Sequence, residues 1–230
     1  MTSIPALNNV NILVVTGHFG SGKTNVAIGL AKHFNRAGRP TALVDLDIVN
    51  PYFRSADASD ELTVEGITCI NPPFANTNVD VPSLTADVHS VFASIERDPH
   101  YVAIFDVGGN NGAVALGRFV SMIEKHPHAV LYVANAYRPL TDTADTAVDD
   151  LREIEYYARM KATHLVNNSN LGSETEAGHI LSSVDYANTL SQKTGLPLLF
   201  TSLFDSVKTE ALEQQLENLF VIPDSTKKLF

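Results

Sequence analysis

The 230-residue chain holds a single cysteine, Cys69, so no disulfide closes within it. One thiol also excludes a Cys-x-x-Cys metal or redox site inside one chain. No two of the eight histidines stand four residues apart, the spacing of a helical zinc pair. His126 and His128 bracket Pro127 and read as a solvated turn. No apolar run approaches the roughly 20 residues that span a bilayer. Met1 to Asn11 has neither a basic region nor a long apolar stretch, so a signal peptide is not expected and the predicted location is cytoplasmic. Basic residues are outnumbered, 16 Lys and Arg against 26 Asp and Glu, for a net charge of -10. That balance argues against nucleic acid as a direct ligand. What remains is an ordinary globular composition, 44% hydrophobic and 18% charged, long enough to bury a core.

Against this background one stretch stands out: Gly17-His18-Phe19-Gly20-Ser21-Gly22-Lys23-Thr24. It fits G-x-x-x-x-G-K-[ST], a phosphate-binding loop. Ile12 to Val15 ahead of it reads as a buried strand. Ala27, Leu30, Ala31 and Phe34 behind it recur at helical spacing. Glycines let the backbone turn its N–H groups onto a polyphosphate, and the positive end of the following helix adds attraction. Lys23 is the residue that reaches the β- and γ-phosphates, and the Thr24 hydroxyl suits Mg²⁺. The candidate nucleotide-binding set is therefore Gly17, His18, Phe19, Gly20, Ser21, Gly22, Lys23, Thr24 and Asn25.

The remaining chain alternates strands and helices. Thr41–Val44 reads as a strand ending at Asp45-Leu46-Asp47, and residues 48–60 as a loop. Residues 62–70 read as a mixed strand region with a short hairpin turning at Glu65-Gly66, and 71–83 as the longest loop. Helices are expected with Leu84, Val88, Val91, Phe92 and Ile95 on one face, and with Leu116, Phe119, Val120 and Ile123 on another. Further helices are expected over 142–160, 176–193 and 207–218. Strands are expected at 101–105, 129–133, 164–166 and 197–200. Cys69 is expected to be a small core residue. Strands apolar on both faces, alternating with helices, predict an α/β fold: a single domain over 1–230, a P-loop NTPase whose mostly parallel twisted sheet carries helices on both faces. Ligands of such sheets sit at the carboxyl ends of the strands, where Gly17, Asp45, Asp47, Asp106 and Asn167 fall.

Nucleotide hydrolysis needs carboxylates near the phosphates as well as a loop. Asp106 follows five apolar residues, in the manner of a Walker B aspartate. Asp45 and Asp47 are two apart on one strand and share a face. The stretches 17–24, 44–55 (Val-Asp-Leu-Asp-Ile-Val-Asn-Pro-Tyr-Phe-Arg-Ser) and 104–113 (Ile-Phe-Asp-Val-Gly-Gly-Asn-Asn-Gly-Ala) resemble the MinD/ParA/CobQ-like P-loop ATPases, the group that includes the nitrogenase iron protein. The resemblance runs from about Ile12 to Asp205. It implies ATP and Mg²⁺ as cofactors, Thr24, Asp45 and Asp106 around the metal, and Lys23 and Asp47 as catalytic, with Asp47 positioning the water. It also implies that Asn50 and Pro51 sense the γ-phosphate, that Asn167 reads adenine, and that Asp205 lies in a second base-contacting loop. Many members carry a lysine after the first loop glycine that acts on the partner's nucleotide in a dimer. Here that position is His18, which donates one hydrogen bond when neutral and adds charge only when protonated.

A guanine-reading loop needs an aspartate as the last residue of Asn-Lys-x-Asp, whereas this chain has Asn167-Asn168-Ser169-Asn170. An amide pairs a donor with an acceptor, which suits adenine. The reading is thus a Mg-dependent ATPase acting as a switch on a homodimer or protein partner, with slow or partner-stimulated hydrolysis. The alternative is an ATP-dependent ligase like dethiobiotin synthetase or the cobyrinic acid amide-forming enzymes, with Arg54 and the 71–83 loop as its acid pocket. A third reading is a nucleotide sensor without turnover. Glu210, Glu213 and Glu217 outweigh Lys227 and Lys228, so no membrane-targeting helix is expected at the C-terminal end.

Overall fold

The computed structural model describes residues 4–46, 59–71 and 81–223. Eight strands form one sheet: β1 (Ile12–Thr16), β2 (Thr41–Asp45), β3 (Thr68–Ile70), β4 (Val102–Asp106), β5 (His128–Ala134), β6 (His164–Asn167), β7 (Leu198–Phe204) and β8 (Leu219–Ile222). Their order is β3-β2-β4-β1-β5-β6-β7-β8, and every pairing is parallel. The helices are α1 (Lys23–Arg36), α2 (Ser59–Val64), α3 (Val81–Arg97), α4 (Gly109–Leu116), α5 (Val120–Ile123), α6 (Ala144–Ala158), α7 (Ala177–Ser182), α8 (Val184–Thr194) and α9 (Glu210–Gln215).

Strand alternation divides the core in two. Leu13, Val15, Leu43 and Ile104 pack with Ala27, Leu30, Ala31 and Phe34 of α1 on one face. Ile12, Val14, Ala42, Val44 and Phe105 pack on the other with Val88, Val91, Phe92 and Ile95 of α3, Leu116 of α4 and Leu151 and Ile154 of α6. Each Val, Leu, Ile or Phe among them stabilises the fold by about 1.5–3 kcal/mol when fully buried, so the apolar strand centres fix the register. By the same alternation Asp45, two beyond Leu43, and Asp106, two beyond Ile104, emerge on the α1 face at the strand tips.

Several boundaries differ from expectation. Residues 62–70 are not a hairpin. Ser59–Val64 is helical with Asp60 and Glu61 in its first turn, Gly66 turns the chain, and β3 lies parallel to β2. Lys32 of α1 holds this segment through Glu61 (3.0 Å) and Glu65 (2.6 Å). The helix expected around 116–123 is interrupted after Leu116, and Val120 is only half-buried. The helix expected over 176–193 breaks at Ser183, whose hydroxyl donates to the Ile180 carbonyl (2.7 Å). Helix α3 starts at Val81, inside the expected 71–83 loop.

The last expected helix shrinks to Glu210–Gln215, and β8 was not expected at all. Asn218 takes a left-handed conformation (φ 56°) that ends the turn, after which Leu219 to Ile222 pair with β7. His126 stacks on Phe92 and His128 bonds the His126 carbonyl, so both are half-buried rather than fully solvated. Cys69 is half-buried rather than fully inside.

Gly29 is what lets β8 lie against α1. A Cβ there would stand 2.9 Å from Ile222 Cγ2 and 3.3 Å from Phe220 Cε1. Alanine is the better helix former by about 1 kcal/mol, but overpacking costs roughly 1–3 kcal/mol. Gly29→Ala is therefore expected to lower stability in chemical denaturation; a more stable variant would show that β8 is not packed there. His33 on the same helix touches Phe34 and Phe220, and burial lowers its imidazole below the ordinary value. Such a group leaves stability intact above its unfolded value of about 6.5 and removes it as pH falls through the lowered folded value. His33→Asn should accordingly lose less stability than the parent between about pH 7 and 5.

Candidate nucleotide site

The loop between β1 and α1 is fixed from four sides. At its exit Gly22 has φ 85°, and a Cβ would run into Asn168 Nδ2, so only glycine serves there. Asn168 follows β6, and its Nδ2 donates to the Ser21 carbonyl at 2.6 Å. Its Oδ1 accepts from Ser202 at 2.6 Å, which leaves the amide no rotational choice. At its entrance Gly17 lies against the Val133 carbonyl of β5. Lys23, largely buried, reaches back to the His18 carbonyl at 2.9 Å. His18 Nδ1 in turn lies 2.8 Å from Asp150 Oδ1 of α6. Gly22 supplies no side-chain cap to α1.

Beneath the loop, Thr24 Oγ1 donates to Asp106 Oδ2 at 2.7 Å. Asp45 and Asp106 are register partners on β2 and β4, and both are buried, at 0% and 2% exposure. Two carboxylates side by side out of water repel and are costly to bury. A cation offsets both effects. The donors around it, one hydroxyl and two carboxylates, are the hard oxygens that suit Mg²⁺. No group of three or more His, Cys, Asp or Glu assembles a complete metal cage among the described residues. Phosphate oxygens and water would supply the remaining positions, as is usual for this ion. On the loop itself the buried Ser21 hydroxyl has no hydrogen-bond partner among the described residues, which fits an anion there.

The structure brings Gly17 to Asn25, Asp45 and Asp106 together. Phe19 is exposed at 59% on the outer side of the loop, and Asn25 is buried in the first turn. Asn167 stands at the tip of β6 with its amide engaged. It is buried, its Nδ2 donates to Ser183 (2.9 Å) and its Oδ1 accepts from the Ser169 hydroxyl (2.7 Å). Asn170 is also engaged, with Asn168 and Gly172. Asp205 is exposed in a short turn after β7. Asp47, Asn50, Pro51 and Arg54 lie outside the described residues, as does most of the 71–83 loop.

Three contributors were not legible beforehand: Asn168, Asp150 and Arg138. Arg138, from the loop after β5, runs alongside Gly20 with its Nε buried and without a hydrogen-bond partner among the described residues. That loop is woven to the one after β6: Asn135 bonds the Asn170 carbonyl and amide, and the Ala136 amide donates to Ser169. Polar residues clustered at a strand tip were the only signal for Asn168; nothing in the sequence marked the other two.

The model of the CobQ/CobB/MinD/ParA nucleotide binding domain matches residues 12–192. The chain belongs to this family. The family domain thus spans β1 to β6 and most of α8, and includes Lys23, Asp150 and Asn168, which hold the loop. No curated protein matches the sequence. Solved structures with the same fold include the cell division protein FtsY of Thermotoga maritima, 20% identical, with a TM-score of 0.55, covering 84% of this chain and 62% of that one. Chloroplast FtsY of Physcomitrella patens is 19% identical, with a TM-score of 0.55 and coverage of 91% and 63%. The Signal Recognition Particle 54 kDa protein of Aeropyrum pernix, in complex with GDP, is 18% identical, with a TM-score of 0.54 and coverage of 84% and 41%. The chain spans less than two thirds of each of these proteins. At such identities they establish the fold of this family member and nothing of its substrate. No helix among the described residues is long and apolar enough to cross a membrane.

Gly22→Ala tests the loop directly. The left-handed residue and the collision with Asn168 together should weaken nucleotide binding by at least about tenfold, with the far-ultraviolet spectrum unchanged. Unaltered affinity in this variant would show that the ligand does not rest on the loop.

Proposed function

We propose that this domain is a Mg²⁺-dependent ATPase that works as a nucleotide-controlled switch on a second copy or another protein partner. The observation that carries the reading is the Thr24–Asp106 bond of 2.7 Å beneath the glycine loop, with Asp45 beside it. Thr24, Asp45 and Asp106 would hold the metal, whose charge offsets that of the phosphates. Lys23 exchanges the His18 carbonyl for phosphate oxygens, at a distance already close to a charge-assisted bond. Asp47 positions the attacking water. Adenine is favoured over guanine because the residue where guanine-readers carry a carboxylate is Asn170. Asn167 serves the base only by exchanging its Ser183 contact, so adenine recognition is accompanied by a shift where α7 meets α8.

The switch reading draws on connectivity. Helix α4 begins three residues after Asp106, and Asn110 bonds Glu153 of α6 at 2.8 Å. A change at the phosphate end of β4 is therefore passed to two surface helices. The ligase alternative needs an acid-binding pocket from Arg54 and the 71–83 loop, most of which lies outside the described residues.

Phosphate release tests the assignment. Parent protein should hydrolyse ATP, with GTP competing poorly. Lys23→Ala should lose turnover by about 100-fold or more, and Asp47→Ala should lose turnover while keeping nucleotide. Equal turnover in Lys23→Ala sinks the site. Turnover that appears only with a small carboxylic acid present favours the ligase.

A further inference from the structure

Arg138 stands on the loop that follows β5, and its side chain passes Gly20, the middle glycine of the phosphate-binding loop. Its Cδ and Nε lie 3.7 Å, and its Cζ 4.0 Å, from where a Cβ on Gly20 would stand. Its Nε is buried and has no hydrogen-bond partner among the described residues, and no carboxylate among them forms an ion pair with it. A buried donor without an acceptor is costly, more so on a charged group. Arg39 shows how this chain uses an arginine for structure. Its Nε, Nη1 and Nη2 donate to the carbonyls of His100, Asn8 and Val10 at 3.0, 3.2 and 2.8 Å, and its guanidinium lies over the Phe34 ring. Arg138 has none of this.

The backbone that carries Arg138 is nonetheless tightly held. The Tyr137 amide donates to Asn135 Oδ1 (2.9 Å), the Ala136 amide to Ser169 (2.9 Å) and the Arg138 amide to the Asn135 carbonyl (3.3 Å). Tyr186 donates to the Thr141 carbonyl at 2.8 Å, and Tyr137 to that of His179 at 2.7 Å. The ordering that a ligand would otherwise have to impose on this segment is thus already made by the fold. Lys23 reaches the His18 carbonyl on the same loop, so two cations meet there. Like charges at one loop repel, and an anion bound in the loop turns that repulsion into attraction. Arginine suits the task, because its planar fork can meet two phosphate oxygens and its charge is permanent.

We propose that Arg138 is a phosphate-binding residue: its guanidinium takes oxygens of the polyphosphate held by the loop and adds a fixed positive charge to that of Lys23. The inference rests on the nucleotide-binding reading above. It gives the loop after β5 a part in ligand recognition and accounts for a charged donor that the fold buries without a partner.

Arg138→Met keeps an unbranched stem and removes the fork and the charge. Calorimetry with Mg²⁺-ATP, and with Mg²⁺ and inorganic tripolyphosphate, reads binding with and without a base. Both affinities should fall by about tenfold or more in Arg138→Met, and Arg138→Lys should keep part of each. Chemical denaturation without ligand separates this role from packing. Ligand-free Arg138→Met should be at least as stable as the parent, since a poorly solvated cation beside another has been removed. Unchanged affinity in Arg138→Met overturns the inference and leaves the nucleotide reading standing. A loss confined to ATP would put the guanidinium on the base and overturns it too, as does a ligand-free variant that is less stable than the parent or does not fold. No binding by the parent overturns both readings.

Discussion

The structure depends on holding a bare stretch of backbone, Gly17 to Gly22, in a shape that a free chain would not keep. Main-chain amides turned inward gain nothing until an anion arrives, so the loop must be held by other groups. Three do so through its carbonyls and its only imidazole: Asn168 on the Ser21 carbonyl, Lys23 on the His18 carbonyl and Asp150 on the His18 ring. Each comes from a different element, and each of those elements is placed by the apolar registers of the parallel sheet. The sheet is thus a rigid frame whose carboxyl edge carries the chemistry.

The same frame explains why acids collect there. The centres of β1, β2 and β4 are apolar, because both faces are covered by helices. The tips are the first positions where a carboxylate meets a polar neighbour. Asp45 and Asp106 use adjacent tips, and Thr24 enters from the helix above. A metal ion there would neutralise charge that is otherwise costly to bury.

Much of this was legible because local and global signals agree. The glycine motif, the strand ahead of it and the helical stripe behind it all predict one geometry, and Asp106 announced itself by five apolar residues before it. What failed were places where tertiary contacts decide. Residues 59–64 became a helix because Lys32 and the edge of β2 select that arrangement. Leu219 to Ile222 became an edge strand because Gly29 leaves room for it on α1. The bonds of the Asn167 amide to Ser183 and Ser169 are likewise contacts that no sequence pattern reveals. Nothing in the sequence marked Asp150, and only the fold sets it against His18.

The central claim is that the amides of this loop close on the phosphates of a magnesium nucleotide. Hydrogen exchange over residues 17–25, with and without Mg²⁺-ATP, tests it most directly. The account predicts strong protection of those amides by the nucleotide, reduced when the metal is chelated. Exchange in this segment that is indifferent to nucleotide at saturating concentration would contradict it.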